Sequence, residues 1–469
     1  MPSFESTLPS PPNDPATPFS WPIPRPDPQS KPVPPAQLSQ DQQAKLDKLI
    51  KHFNQPDFSL PNQLKVIRAQ HTKDQGGSRF GSLFSRAATP TEKEIADVAP
   101  LNDVEKCYWS RQAFLRCLRA VKWDYAAAVR RAEETCVWRR EYNVDGMQES
   151  DISVEGETGK ELVMGFDVNC RPVLYMHPHR QNTQVGPRQI DFVIWCLERT
   201  LDLLPPTDPA VDMLCLCIDF GAGQKGGQPT TLGQARKVLE ILQTYYCERL
   251  GKAVCVNIPQ IFYAFYKLVG PFVDPVTKEK IRFLEKPDAT ALIPASQLQT
   301  IFGGSVNMDY DHTQYFPALT QLCAERKAAN LERWRKYGEG LCGLDEAIIR
   351  GARTPGEEGA KAPSVAEKEA DLQGSDAPVP AAAAVEPPTA ALAAASLDDS
   401  APNGATATVV AAGVANGGSS SEASTVVNGD VPPATPGAET PGLDSFKDAP
   451  LASKQAVEAA APAVKSEVA

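Results

Sequence analysis

Residues 212–258 read DMLCLCIDFGAGQKGGQPTTLGQARKVLEILQTYYCERLGKAVCVNI. Asp212–Phe220 is a nearly continuous apolar run of strand length, the pattern of a strand buried on both faces. Cys215 and Cys217 alternate along it and behave as small hydrophobes. A helix is expected over Leu232–Leu250, opened by a capping box between Thr231 and Gln234, and a second apolar strand over Ala253–Ile258. Strand, helix, strand in so short a span pairs the strands in parallel through a helical crossover.

The same alternation extends upstream. Leu162–Asp167 and Pro172–His177 are strand-like runs separated by the turn Asn169-Cys170-Arg171. Pro187–Leu204 reads as a helix whose apolar face is Ile190, Val193, Ile194, Leu197 and Leu201. The fold class is therefore α/β with a mainly parallel sheet. Before this lobe the period is helical. Phe114, Leu115 and Leu118 mark one helix face, Lys122-Trp123-Asp124 makes a corner, and Asp124 caps a helix to about Tyr142 with Tyr125, Val129, Ala132 and Cys136 inward. Gln43–Phe53 and Gln63–Ala69 carry weaker helical patterning, and the glycines of Asp74–Thr89 suggest a loop. After the lobe strands, Pro259–Gly270 is a short aromatic segment, expected to be helical and hinged by Pro259 and Gly270-Pro271.

The chain has 469 residues, with 47 Lys and Arg against 58 Asp and Glu, a net charge of −11. From Thr354 onward there are 5 Lys, no Arg and 16 Asp and Glu, so this tail holds the whole excess and residues 1–353 are neutral. A neutral body argues against a nucleic-acid groove, which needs a basic field. The tail has one aromatic residue, Phe446, too little apolar mass to offset the entropy of folding. Residues 1–36 hold 13 of the 43 prolines, and both ends read as solvated, disordered arms. The 11 cysteines lie between Cys107 and Cys342 without a C-x-x-C pair, and no apolar leader opens the chain. Both points favour a reducing compartment. Met213–Ile218 is the longest dense apolar run, far short of the ~20 residues that span a bilayer.

Gly221-Ala222-Gly223-Gln224-Lys225-Gly226 matches the G-x-G-x-x-G of dinucleotide sites, with Glu240 where a ribose-binding acid would stand. Gly227-Gln228-Pro229 separates that turn from the helix expected after Thr231, so an ordinary loop is the better reading. His177 and His179 lie two apart at a strand end. No acid or cysteine cluster accompanies them in sequence, and ordinary strand-end histidines are expected rather than metal ligands. There is no G-x-S-x-G, H-E-x-x-H or Walker lysine, so neither catalytic residues nor a cofactor is expected.

Seven pieces of sequence, in order over about residues 100–320, carry a resemblance. They are Phe114–Ala120 with Lys122, Trp138-Arg139-Arg140, Arg171-Pro172-Val173, Ile218-Asp219, Tyr246–Lys252, Pro271–Thr277 and Phe302-Gly303-Gly304. The chain resembles the CRAL-TRIO lipid-binding family, and within it the fungal phosphatidylinositol transfer proteins linked to azole tolerance and sterol homeostasis. The resemblance implies a proline-rich arm (1–40), an N-terminal helical subdomain (41–148) and a CRAL-TRIO lobe enclosing an apolar lipid cavity (149–320). A helical extension (321–352) and the acidic tail (353–469) complete the expected layout. It further implies a mobile gate helix with Phe262, Tyr263, Phe265, Tyr266 and Phe272 as membrane contacts. The implied phosphatidylinositol headgroup residues are Lys122, Glu248, Thr277 and Lys280. Their chemistry suits an inositol phosphodiester, with cationic and hydroxyl donors for the phosphate and a carboxylate accepting from ring hydroxyls.

Two departures stand out. A basic residue that precedes Lys122 in the family prototype is Val121 here. The cavity-lining positions where phosphatidylcholine-binding members place Ser and Thr are Leu214 and Leu216, counting back from Asp219. Unmatched choline phosphate would cost about 1–3 kcal/mol per polar group. The expectation is phosphatidylinositol transfer or presentation with weak phosphatidylcholine binding and a sterol as candidate second ligand. The setting expected is cytoplasmic, peripheral to membranes such as the endoplasmic reticulum, lipid droplets or cell periphery. The alternatives are a lipid-sensing scaffold, a sterol carrier and, less favoured, a nucleotide-dependent oxidoreductase using Gly221–Gly226.

Overall fold

The computed structural model describes residues 3–12, 14–74, 90–221, 226–228, 231–259 and 279–356. Its N-terminal half is built from capped helices. In α1 (Gln40–Phe53), Ser39 and Gln42 form a capping box, and Leu46, Leu49 and Phe53 are buried on one face. α2 (Leu64–Asp74) follows. α3 (Arg111–Ala120) is capped by Ser110 and buries Ala113, Phe114, Cys117 and Leu118. α4 (Tyr125–Tyr142) is capped by Asp124, as the sequence indicates, and ends on Asn143 in a left-handed conformation. The corner between α3 and α4 turns through Lys122 and Trp123, whose φ angles are 53° and 66°. These helices share one apolar cluster that includes Phe53, Trp109, Phe114, Leu118 and Val137.

The lobe carries a five-stranded sheet in chain order: β1 (Glu161–Phe166), β2 (Pro172–Met176), β3 (Leu214–Asp219), β4 (Leu250–Val256) and β5 (Ile281–Phe283). β1 and β2 form an antiparallel hairpin, and every later pair is parallel. The hairpin turn is held by the Asp167 carboxylate, which accepts from the N–H groups of Asn169 and Arg171. Gly165, at φ 72°, sits in the irregular register of β1, and a Cβ there would meet the Gln297 carbonyl at 2.3 Å. Helices α5 (Pro187–Asp202) and α6 (Leu232–Tyr245) are the crossovers between β2, β3 and β4. The fold is the α/β architecture expected, a mainly parallel sheet with a helical N-terminal part. Among the described residues no helix is long and apolar enough to cross a membrane.

Three boundaries differ from expectation. α6 ends at Tyr245 instead of Leu250, and β4 begins at Leu250 instead of Ala253. Tyr245 stacks on Trp138 with centroids 4.3 Å apart, and the Tyr246 hydroxyl donates to Glu198 at 2.6 Å. These contacts hold the chain while Glu248, at φ 59°, turns it into the sheet. At the C-terminus, α7 (His312–Tyr337) runs unbroken across residue 320, where a domain boundary is expected. Its Tyr315 hydroxyl both donates to the Val163 carbonyl and accepts from the Val163 N–H.

The N-terminal prolines were expected to form a solvated arm, yet residues 18–31 lie along the lobe. Phe19 and Ile23 are buried, and Pro18–Phe19 pairs in parallel with Asn307–Met308. Glu5 binds Arg25 and Arg326, and the Lys31 N–H donates to the Val168 carbonyl. Proline limits the unfolded chain in advance, so docking an extended segment costs less entropy than its composition suggests. The acidic tail beyond Gly356 lies outside the described residues, as do the expected loop Asp74–Thr89 after its first residue and the aromatic segment Pro259–Gly270 after Pro259.

Buried ion pairs tie the helices to the lobe. Arg139 on α4 makes two hydrogen bonds to Glu198 on α5, at 2.8 and 3.1 Å, and lies 4.2 Å over the Tyr108 ring. Burial alone would raise the Glu198 carboxyl, but Arg139 outweighs it and holds the pKa below the ordinary value. Arg116 on α3 reaches Asp212 and Glu346, each at 3.3 Å. Removing one partner strands a buried charge. Glu198→Ala is therefore expected to lower the free energy of urea unfolding by about 3–5 kcal/mol, and the paired Arg139→Met, Glu198→Leu change by clearly less. Equal losses would mean that the pair, rather than the stranded charge, carries the stability.

On α2, His71 contacts Glu133 at 2.6 Å and Glu134 at 3.2 Å, both on α4. Burial opposes protonation, but the two carboxylates outweigh it and lift His71 to about 9. The folded pKa lies above the unfolded one, so this contribution is complete below about pH 6.5 and is lost as pH rises towards 9. Because the contact is partly open to solvent, it should amount to about 1 kcal/mol. Urea midpoints of wild type and His71→Gln should differ at pH 6 and converge near pH 9.5; a constant gap would contradict the assignment.

Candidate functional site

The sheet has two polar ends with an apolar middle. At the end where β4 and β5 begin stand the expected headgroup residues. Glu248 lies two residues before β4, and Lys280 immediately precedes β5. The register Ala253↔Ile281 sets Lys280 beside Lys252 at that same end. Lys122 is exposed on the α3–α4 corner. Val121 and Trp123 on either side of it pack against the same cluster as Cys247, which precedes Glu248. The corner and the α6–β4 turn thus pack against one apolar cluster. Lys122 and Glu248 both adopt left-handed backbone conformations, φ 53° and 59°, an arrangement non-glycine residues hold only when packing imposes it. Among the described residues, the side chains of Lys122, Glu248 and Lys280 make no hydrogen bond or ion pair. Thr277 and the expected gate residues Phe262, Tyr263, Phe265, Tyr266 and Phe272 lie outside the described residues.

The structure separates the two expected cavity leucines. Leu214 is buried in a cluster with Trp138, Ile194, Val238, Ile241, Tyr245 and Tyr246. Leu216 is the one residue of β3 that stays only half-buried. Its neighbours on that face follow from the register, Leu174 on β2 and Ala253 on β4, with Ile281 beyond on β5. Ile281 and Phe283 are also only half-buried, although β5 pairs with β4. The face across β3–β5 is therefore an apolar wall that the described residues do not fully cover, whereas β1 and β2 are buried throughout.

At the opposite end, where the parallel strands finish, His177 and Asp219 come together. No acid lies near the histidines in sequence, because the partner is supplied by strand pairing: Met176↔Ile218 puts the next residues, His177 and Asp219, side by side. His177 Nδ1 is 3.7 Å and His179 Nδ1 is 3.9 Å from Asp219 Oδ2. Burial pushes His177 down to about 4, keeping its imidazole neutral. Burial would raise Asp219, but contacts with His177, Asn257 and the Gly221 N–H outweigh it and lower its pKa. In the glycine-rich stretch, the Gly227 N–H donates to the Gln181 carbonyl and the Gln228 N–H to that of Thr183. The Thr231–Gln234 capping box is present, and α6 starts at Leu232, well past the glycines. A phosphate-binding turn would need the glycines to run into the helix N-terminus.

A cleft of about 140 Å³ lies between α5, α7 and the helical part, lined by residues including Tyr108, Arg139, Glu198, Arg249, Glu346 and Arg350. Arg139 pairs with Glu198 on α5, Arg350 pairs with Glu346 four residues before it, and the Arg249 guanidinium donates to the Asp212 carbonyl. Its charges are thus engaged in holding the elements together. Sequence reading noted Arg116, Arg139 and Arg140 only as parts of motifs; their partners Glu105, Glu198, Asp212 and Glu346 are distant in sequence and carry no local signal.

The CRAL/TRIO domain family model matches residues 156–304. A CRAL-TRIO domain-containing protein of Schizosaccharomyces pombe is 40% identical over 262 residues, which is 56% of this chain and 25% of that protein. The chain thus spans about a quarter of that relative's length. Phosphatidylinositol transfer protein PDR17 of Saccharomyces cerevisiae is 32% identical over 326 residues, covering 67% of this chain and 85% of the relative. SEC14 cytosolic factor of Eremothecium gossypii is 33% identical over 279 residues, 52% of this chain and 86% of that protein.

Proposed function

The chain belongs to the CRAL-TRIO domain family, and on that premise we propose that it is a phosphatidylinositol transfer protein. In this reading it moves or presents phosphatidylinositol between membranes by enclosing the acyl chains in an apolar cavity. The observation that supports it is the pair of left-handed turns at Lys122 and Glu248, without side-chain partners among the described residues, whose neighbours Val121, Trp123 and Cys247 pack against one apolar cluster, with Lys280 at the end of the sheet where Glu248 stands. Glu248 would accept from inositol hydroxyls, while Lys122, Lys280 and Thr277 would donate to the phosphodiester. Val121, in place of a second basic residue, leaves the phosphate with one cation fewer from the corner. The relative PDR17, a phosphatidylinositol transfer protein by name, supports the same ligand.

The physical task explains the design. A diacyl lipid carries some 30 methylenes at about 0.8 kcal/mol each, so escape through water is slow. A wall such as the half-buried face of Leu216, Ile281 and Phe283 replaces that water with apolar contact. Nothing covalent changes, so no catalytic residue is called for. The aromatic gate residues, Phe262 to Phe272, would contact the membrane interface, where such side chains partition favourably. Leu216, where a hydroxyl would help hold a choline phosphate, disfavours phosphatidylcholine and leaves room for a sterol as second ligand. Leu214 is packed into the helices and contributes less to this selectivity.

Vesicle-to-vesicle transfer of labelled phosphatidylinositol and phosphatidylcholine tests this. Wild type should transfer phosphatidylinositol, the Glu248→Ala, Lys280→Ala double variant should lose it at least about tenfold, and phosphatidylcholine transfer should be weak in both. Leu216→Thr should raise phosphatidylcholine transfer; no gain would sink the pocket argument. No transfer of either lipid by folded wild type would point instead to a sterol carrier or a lipid sensor.

A further inference from the structure

The polar groups at the carboxyl ends of β2 and β3 have no part in lipid transfer as described. We propose that His177, His179 and Asp219 form a binding site for a divalent transition-metal ion of the zinc class. One ligand atom from each residue lies within 4.8 Å of the other two. The nitrogen–oxygen separations of 3.7 and 3.9 Å are too long for hydrogen bonds. They are close to the roughly 3.3 Å between ligands of a tetrahedral zinc ion with bonds of ~2.0–2.1 Å. Each histidine would have to close on the carboxylate by about half an ångström, and the two imidazoles, within 4.8 Å of each other, would draw together around the ion. His179 can supply its share, because it sits in a single 3-10 turn, Pro178–Arg180, instead of in the sheet.

Burial makes the arrangement costly without such an ion. His177 and Asp219 are fully buried, and among the described residues neither ring nitrogen of His177 nor Asp219 Oδ2 has a hydrogen-bond partner. Unpaired buried polar groups are costly, and an ion held by the three residues would satisfy one His177 nitrogen and Asp219 Oδ2 at once. The supporting contacts are those of a ligand held in place. Asp219 Oδ1 accepts from Asn257 Nδ2 at 2.7 Å and from the Gly221 N–H at 2.9 Å, which aims Oδ2 at the histidines. The His177 backbone N–H donates to the Lys160 carbonyl, which fixes the main chain there, and the His177 ring lies parallel to that of Tyr175. Two imidazoles and one carboxylate are a donor set that suits zinc and its neighbours and leaves coordination positions open. Arg180 adds positive charge near His177, so the open positions would take water or an anion. The strand ends of a parallel sheet are also where such folds place ligands.

The test uses the full chain without a histidine tag, stripped with a chelator and titrated with Co²⁺ and then Zn²⁺. The expected result is one ion per chain, with visible cobalt bands of a low-symmetry nitrogen–oxygen site and displacement by Zn²⁺. His179→Ala and Asp219→Asn should each weaken binding about a hundredfold, and Asn257→Ala about tenfold. Circular dichroism confirms that each variant is folded; His179, 14% exposed, is the safest substitution and decides the case if Asp219→Asn fails to fold. Three results would overturn the proposal: no stoichiometric ion, thiolate-to-cobalt charge-transfer bands that place the ion on cysteines, or unchanged affinity in His179→Ala. None of these depends on whether the chain transfers lipid.

Discussion

The bond between Arg139 and Glu198 is the constraint on which the rest of the arrangement depends. It joins α4 of the helical part to α5 of the lobe, and the Tyr246 hydroxyl joins the same carboxylate at 2.6 Å. Two residues after Tyr246 stands Glu248, so a buried ion pair in the interior dictates where a surface carboxylate is presented. Buried pairs add little net stability against an apolar substitute, but they tolerate few alternative geometries. Here that property matters more than the energy. The Lys122 corner belongs to the helical part and the Glu248 turn to the lobe, and a site built from both needs the two parts fixed in register.

The parallel sheet supplies the second constraint. Its strands run in one direction from β2 to β5, so side chains at their starting and finishing ends have no common neighbours. Glu248 and Lys280 stand at the starting end; His177, Asp219 and Asn257 stand at the finishing end. Between them β3 offers only Leu, Cys and Ile. Polar chemistry is therefore confined to the two ends, with an apolar span separating them. In the proposed function, the polar head of the lipid takes one end and its apolar body the middle, while the far end is left to chemistry of another kind.

Much of the fold was legible because its signals are local. The apolar run over 214–219, the caps at Asp124 and Thr231, and the hairpin at Cys170 each depend on residues within one turn of the chain. What sequence could not supply is the set of contacts between distant segments. Glu198 reads as one polar residue on a helix, yet it sits at a junction of three elements. Asp219 looked remote from His177 because 42 residues separate two positions that parallel pairing sets side by side. The end of α6 was misjudged for the same reason, since Trp138 and Glu198, which fix it, lie outside any local window. The N-terminal segment shows the converse error. Its proline content suggests solvation, whereas Phe19 and Ile23 decide where it lies.

The half-buried Leu216 ties the proposed function to stability. A leucine in the middle strand of a sheet would ordinarily be sealed, and leaving it partly open forfeits about 1 kcal/mol of burial. Ile281 and Phe283 on β5 forfeit more of the same kind. Elsewhere the sequence spares no effort to close the core, with β1 and β2 buried at every position. The contrast places the deficit on one face of β3 to β5, where an apolar ligand would restore the missing contact. Any molecule bound there would stabilise the folded state in proportion to its occupancy. The protein is thus expected to be less stable empty than loaded, which favours holding one apolar guest until another surface offers an exchange.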